Sequence, residues 1–198
     1  MNVFLTGGTG FLGARLIEYL IMEDFIERLT VLYRSEEKKS ILTHNFLGSY
    51  GNNQKKLEFV KGDFFNSTIC ESSCDVLVHA GAMRNIAYCE NNKELAYEIN
   101  VEGTRKLVED AVKSGCRKVI FISSQSVSDF EDGGEHSEEE KLNPATYYGE
   151  TKVLGEDIIK NSGLKYLILR PSRLIGFGIF QNRDSRKRVP QSKGLVIR

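Results

Sequence analysis

Two rhythms of apolar residues run along this chain. Short stretches in which nearly every residue is apolar recur at 3–5, 29–33, 57–60, 76–79, 118–122 and 166–169, and each predicts a strand. Between them the apolar positions fall at helical spacing. Leu16, Ile17, Leu20 and Ile21 mark a helix over 11–22. Leu95, Ile99, Leu107, Val108, Ala111 and Val112 mark one over 92–114, which Gly115 stops. A third helix is expected over 146–161, with less regular ones near 36–48 and 67–73. Strands and helices that alternate with short connections predict an α/β fold, a parallel sheet flanked by helices. Strands apolar throughout are expected to be covered on both faces. Right-handed crossovers give the doubly wound order 3-2-1-4-5-6, with ligands at the carboxyl ends beside the switch between strands 1 and 4.

The unusual polar residues obey that geometry, because they fall just after strands: 6–13, Arg34 and Ser35, Asp63, 79–84 and 123–126. The first of these clusters is the most informative. Thr6-Gly7-Gly8-Thr9-Gly10-Phe11-Leu12-Gly13 follows a strand and opens a helix, and Gly8, Gly10 and Gly13 fit a Rossmann-like phosphate turn. One glycine makes the tight turn, a second lets backbone amides approach a pyrophosphate, and a third lets the helix pack on the strand. The helix amino terminus adds unpaired N–H donors and partial positive charge.

Composition narrows the classes. A chain of 198 residues suits one domain with a sizeable core, and 40% hydrophobic with 27% charged residues is ordinary for a globular protein. The formal net charge is zero, so no global field recruits nucleic acid or a membrane surface. No stretch approaches a membrane span, and no signal peptide is read at the start, so a cytoplasmic setting is expected. Cys70, Cys74, Cys89 and Cys116 lack metal-type spacing, and Cys70 and Cys74 read as reduced thiols on one helix face. The three histidines are scattered, and no metal site is expected.

Tyr148-Gly-Glu-Thr-Lys152 lies early in a predicted helix, where residues four apart share a face. An ammonium beside a phenol favours phenolate, so Lys152 is expected to lower the Tyr148 pKa toward the working range for proton transfer. Tyr147 has only Thr151 four residues on. Taken in order, 6–13, Lys61-Gly-Asp63, Val78-His79-Ala80-Gly81-Ala82, Asn100-Val-Glu-Gly-Thr104, Ile122-Ser-Ser124, Tyr148-x3-Lys152 and Leu169-Arg-Pro171 resemble the extended short-chain dehydrogenase/reductase superfamily, its NAD(P)-dependent epimerase/dehydratase group. The resemblance runs from residue 1 to about 178. It implies hydride transfer between a nicotinamide cofactor and an alcohol/carbonyl or sugar-nucleotide substrate. By it, Tyr148 is the catalytic acid/base, Lys152 tunes it and holds the nicotinamide ribose, and Ser124 orients the substrate oxygen. Ser123 and Ser126 flank that serine. Asp63, with Phe64 beside it, matches the residue that meets adenine, or else serves as a structural N-cap. Ala80, Gly81, Ala82 and Pro171 line the cofactor, and Asn100 either approaches it or braces the sheet. His79 is expected to pack or hydrogen-bond rather than move protons.

At the end of strand 2, Arg34 and Ser35 stand where an acidic residue would select NAD, so NADP(H) is expected over NAD(H), with Glu36 and Glu37 one step late unless the loop returns one of them. Arg173 and Ile175 replace an asparagine and a tyrosine of the group's Arg-Pro-x-Asn-x-Tyr-Gly stretch, and Ser128 stands where a tyrosine is frequent. Gln125-Ser126 replaces the Asp-Glu pair of sugar dehydratases. These departures place carbonyl reduction ahead of sugar epimerisation and disfavour dehydration. Residues 1–178 are expected to form the dinucleotide-binding domain. Residues 179–198, with Arg183, Arg186, Lys187 and Arg188, are expected to be a basic tail, disordered or the remnant of a truncated substrate lobe. A homodimer is a possible assembly. The competing reading is a dinucleotide-binding module or an inactive remnant.

Overall fold

Val3 and Leu5 point to one face of their strand and Phe4 to the other, and each direction meets a separate apolar cluster. That two-sided demand organises the chain. The computed structural model describes residues 1–46, 56–67, 69, 73–128, 137–172, 174 and 175. The strands are β1 (Asn2–Thr6), β2 (Arg28–Tyr33), β3 (Leu57–Lys61), β4 (Val76–His79), β5 (Lys118–Ile122) and β6 (Lys165–Leu169). The helices are α1 (Phe11–Met22), α2 (Glu36–Phe46), α3 (Ile86–Asn91), α4 (Lys93–Tyr97), α5 (Gly103–Lys113) and α6 (Tyr147–Lys160). All six strands pair in parallel in the expected order β3-β2-β1-β4-β5-β6.

On one face Ile17 and Ile21 of α1 and Leu42 of α2 pack on Leu5, Val31 and Val78. On the other, Leu107 and Ala111 of α5 and Ile159 of α6 pack on Phe4, Leu77 and Phe121. The large side chains among these are fully or nearly fully buried, which stabilises the fold by about 1.5–3 kcal/mol apiece. α6 begins where Thr146 Oγ1 accepts the Gly149 N–H at 3.1 Å, as an N-cap should. α5 stops before Gly115, whose φ of +80° turns the chain back toward β5. Among the described residues no helix is long and apolar enough to cross a membrane.

Two expectations change, and two others fall partly outside the described residues. The helix expected over 92–114 is interrupted: α4 and α5 are joined by a π-helical turn over Glu98–Glu102, and α3 precedes them. Asn100 sits inside that turn with its side chain buried, and the extra residue per turn swings it inward. Not every strand is covered on both faces: in β6, Tyr166, Leu167 and Leu169 are 43–52% exposed, because the strand closes one edge of the sheet. Of the helix expected near 67–73, residues 68 and 70–72 lie outside the described residues, as do 47 and 48 at the end of the one near 36–48.

Candidate functional site

The glycine turn after β1 sets the site. Gly7 has φ +71°, and a Cβ there would come 2.6 Å from the backbone of Ala80 and Gly81 at the end of β4. Gly7 is therefore the turn glycine, and the working spacing is Gly7-x2-Gly10-x2-Gly13 rather than the one starting at Gly8. Gly8 instead admits the Val31 side chain, and Gly13 packs α1 against the Gly7 carbonyl. Gly10 is exposed, and a Cβ there would meet only the Gly7 carbonyl, at 3.1 Å, so its outer side is open. α1 also starts with no side-chain cap, whereas Asn85 caps α3 and Thr146 caps α6. Open space in front of an uncapped helix start fits a pyrophosphate. Thr9, Phe11 and Leu12 are partly exposed around that opening.

Beneath the turn lies a directional chain of hydrogen bonds. The Gly81 N–H donates to Thr6 Oγ1 at 3.2 Å, Thr6 Oγ1 lies 2.7 Å from His79 Nδ1, and His79 Nε2 lies 2.9 Å from Thr104 Oγ1. Thr104 gives its single proton to the Asn100 carbonyl at 2.7 Å, so it accepts from His79. His79 therefore carries its proton on Nε2 and accepts at Nδ1 from Thr6. Complete burial, with the Lys152 charge adding to it, pulls the His79 pKa down to about 3. The ring is neutral and structural, as expected. The Phe64 ring stands edge-on to it at 5.0 Å and fills the space that a Cβ on Gly81 or Gly103 would take. Phe64 is thus packed beneath the site through its side chain.

Asn100 joins this floor to the reacting face. Its Oδ1 accepts the Met83 N–H at 2.7 Å, and its Nδ2 donates to the Met83 carbonyl at 2.9 Å and to Thr151 Oγ1 at 3.1 Å. Thr151 in turn donates to the Tyr148 carbonyl at 2.7 Å. Of the two roles expected for Asn100, bracing is what these bonds describe. They hold the loop after β4 against α6.

Ser124 follows β5 near enough to Tyr148 for its hydroxyl to pull the phenol's pKa down, and that hydroxyl lies 3.1 Å from that of Ser126. Lys152 is 3% exposed, with Nζ 3.9 Å above the Phe121 ring. Burial pulls its ammonium from 10.5 to about 7, against the nearby Glu156 carboxylate, which favours the charged form. The expected lowering of the Tyr148 pKa does not occur. Burial raises it, outweighing the Ser124 hydrogen bond and the charge of Arg84, and Lys152 contributes nothing to the shift. The lysine ammonium lies over the Phe121 ring, and sharing a helix face with Tyr148 does not by itself lower the phenol's pKa.

Glu156 lies outside the motifs that mark the other residues of the site. It is fully buried one turn beyond Lys152, accepts Ser123 Oγ at 2.7 Å, and receives Arg170 through Nε at 2.8 Å and Nη2 at 2.7 Å. Burial pushes its pKa up, but Arg170 and Ser123 together hold it below the ordinary value. The signal was present as a carboxylate continuing the Tyr148, Lys152 row at the same four-residue interval.

The remaining expected residues divide. Asp63 Oδ1 accepts the Phe65 and Asn66 N–H groups at 2.9 Å each, a structural capping role. Ser35 Oγ accepts the Lys38 N–H at 3.2 Å and caps α2, while Arg34 is exposed and makes no ion pair among the described residues. Glu36 returns to the end of β2: the Tyr33 hydroxyl donates to it at 2.8 Å, and Lys61 lies 3.4 Å away. The Pro171 carbonyl accepts the Gln125 N–H at 3.1 Å, and Ala80 and Ala82 line the strand end partly exposed. Ile175 is 69% exposed. Arg173, Cys70 and the basic cluster of Arg183, Arg186, Lys187 and Arg188 lie outside the described residues.

Comparison with known proteins agrees with this geometry. The profile of the NAD dependent epimerase/dehydratase family matches residues 3–192. UDP-glucose 4-epimerase 2 of Oryza sativa subsp. japonica is 27% identical over 165 residues, covering 81% of this chain and 40% of its own length. UDP-glucose 4-epimerase of Vibrio cholerae is 28% identical over 208 residues, covering 99% of this chain and 58% of its own. The structure of UDP-glucuronic acid 4-epimerase from Bacillus cereus, in complex with UDP-glucuronic acid and NAD, superposes with a TM-score of 0.72 at 24% identity, over 86% of this chain and 56% of the other. The chain thus spans about half the length of the curated relatives it matches.

Proposed function

This chain belongs to the NAD dependent epimerase/dehydratase family, and from that premise we propose that it binds a nicotinamide dinucleotide across the carboxyl ends of β1, β2 and β4. In this reading residues 1–178 are the dinucleotide-binding domain, and the enzyme moves hydride to or from an alcohol/carbonyl substrate in a cytoplasmic setting. The observation that carries the reading is the joining of the Tyr148 turn of α6, through Thr151, Asn100 and Met83, to the loop that packs on the Gly7 turn. The turn's amides and the uncapped start of α1 hold the pyrophosphate. Lys152 meets the nicotinamide ribose. When bound, the nicotinamide accepts or returns the hydride.

Tyr148 is protonated at neutral pH, because burial raises its pKa. It is therefore set to give a proton to a substrate oxygen that Ser124 orients. In the reverse direction the phenol must lose that proton, and the cationic Lys152, once drawn to the ribose beside it, favours the loss. The names of the relatives support a second, narrower reading, interconversion of sugar nucleotides at a single hydroxyl-bearing carbon. The family description and the Glu36 carboxylate returned to the end of β2 support NAD(H). The NADP(H) preference expected from Arg34 and Ser35 has no such support, and Arg34→Ala should leave the preference for NAD+ unchanged.

The test is turnover by the purified chain of UDP-glucose with NAD+, and of a carbonyl panel with NADH, before and after Tyr148→Phe. The substitution should lower turnover by about 10²-fold or more while NAD+ binding persists. Turnover insensitive to Tyr148→Phe would remove the phenol from the mechanism.

A further inference from the structure

At the opposite end of the sheet from this site, two thiols meet. Cys74 Sγ lies 3.4 Å from Cys116 Sγ, and both residues are about 5% exposed. The strand register explains the meeting. Val76 of β4 stands opposite Lys118 of β5, and the two cysteines precede that first registered pair by two residues each, where both side chains join the apolar cluster of Leu77 and Phe121. Asp75 reinforces the register: its carbonyl accepts the Arg117 N–H at 3.1 Å, and its carboxylate pairs with the Arg117 guanidinium at 2.6 Å.

Cys116 also lines a groove of about 460 Å³ whose walls include Arg117, Lys118 and Lys165. Asp75 lines the same groove and pairs with Arg117, which leaves Lys118 and Lys165 to favour the approach of an anionic small molecule. The hydrogen bond from Cys74 lowers the pKa of the Cys116 thiol, and the same bond, followed by burial, raises that of Cys74. Cys116, which lines the groove and receives the Cys74 S–H, is thus the attacking sulfur and Cys74 the resolving one. Cys89 differs on every count: it is buried, burial raises its pKa, and its sulfur lies 3.5 Å from the Met83 carbonyl rather than near a thiol.

We propose that Cys74 and Cys116 form a reversible redox pair, oxidised to an intramolecular disulfide by a small-molecule disulfide such as oxidised glutathione. In the first step the Cys116 thiolate attacks one glutathione sulfur. The glutathione S–S bond breaks, a mixed disulfide forms on Cys116, and one glutathione leaves as thiolate. Cys74 then loses its proton to solvent and attacks Cys116 Sγ, releasing the second glutathione. Two protein thiols are oxidised and one glutathione disulfide is reduced to two thiols.

The full chain, in native buffer, is incubated with oxidised glutathione, alkylated and mapped by mass spectrometry; a second sample is treated in urea. The native sample should lose two alkylatable thiols and two hydrogen atoms of mass. It should yield one cross-linked peptide pair, Cys74 with Cys116, leaving Cys70 and Cys89 alkylated. Cys70→Ser should leave that pattern intact, and Cys116→Ser should abolish the cross-link. The urea sample should give mixed pairings. No native cross-link, one through Cys70 or Cys89, or a glutathione adduct that stays on Cys116 would each overturn the proposal. The readout on the unmodified chain needs no variant to fold.

Discussion

His79 is kept neutral by burial between two threonine hydroxyls, with a pKa of about 3 against an ordinary 6.5. A base whose folded pKa is depressed contributes stability that is complete above 6.5 and lost as pH falls toward 3. The loss is about 1.4 kcal/mol per pH unit. Urea unfolding at about pH 6.5 and pH 5 should therefore show a fall of roughly 2 kcal/mol from this group. His79→Gln should be less stable at neutral pH by about 1–3 kcal/mol, yet show a flatter pH slope; an unchanged slope would remove His79 as its source. Lys152 is depressed as well, from 10.5 to about 7, so its burial costs stability at neutral pH that returns as pH rises from about 7 toward 10.5. Lys152→Met should stabilise the ligand-free chain in denaturant, by about 1–3 kcal/mol, while lowering affinity for the dinucleotide. A destabilised Lys152→Met would mean that the ammonium is well solvated.

At the scale of elements, the turn between β1 and α1 separates two causes of glycine dependence. Gly7 and Gly163 both have φ above +70°, but a Cβ on Gly163 meets nothing within 4 Å, whereas one on Gly7 collides with Ala80 and Gly81. Gly163→Ala should lose only the backbone cost of about 1–2 kcal/mol. Gly7→Ala should lose more than about 3 kcal/mol and its dinucleotide binding, since the loop after β4 must move. Thermal unfolding of the two variants side by side checks this, and equal losses would contradict it. The strands were legible in the sequence because two covered faces force apolar runs, as at 29–33 and 76–79. The π-helical turn was not, because Leu95 before it and Leu107 and Ala111 after it keep helical spacing, and Ile99 within it falls at the expected interval from Leu95. Only the tertiary partners of Asn100, Met83 and Thr151, impose it. The left-handed role of Gly7 and the buried Glu156–Arg170 pair were hidden for the same reason: each depends on contacts between separate segments of the chain.

For the whole molecule, the parallel order β3-β2-β1-β4-β5-β6 places the Gly7 turn, the Glu36 carboxylate and the Tyr148 face along one end of the sheet, and the Cys74–Cys116 pair at the other. The two ends are separated by the length of the strands, so redox chemistry at one leaves the groups at the other in place. The sequence motifs located the first end through residues adjacent in the chain; the second emerges only when β4 and β5 are in register. The central claim, that a nicotinamide dinucleotide docks on the first turn of the fold, is tested most directly by calorimetric titration of the folded chain with NAD+ and NADP+. Saturable binding at one site, tighter for NAD+ and lost in Gly7→Ala, is the result expected; a folded chain that takes up neither dinucleotide would contradict it.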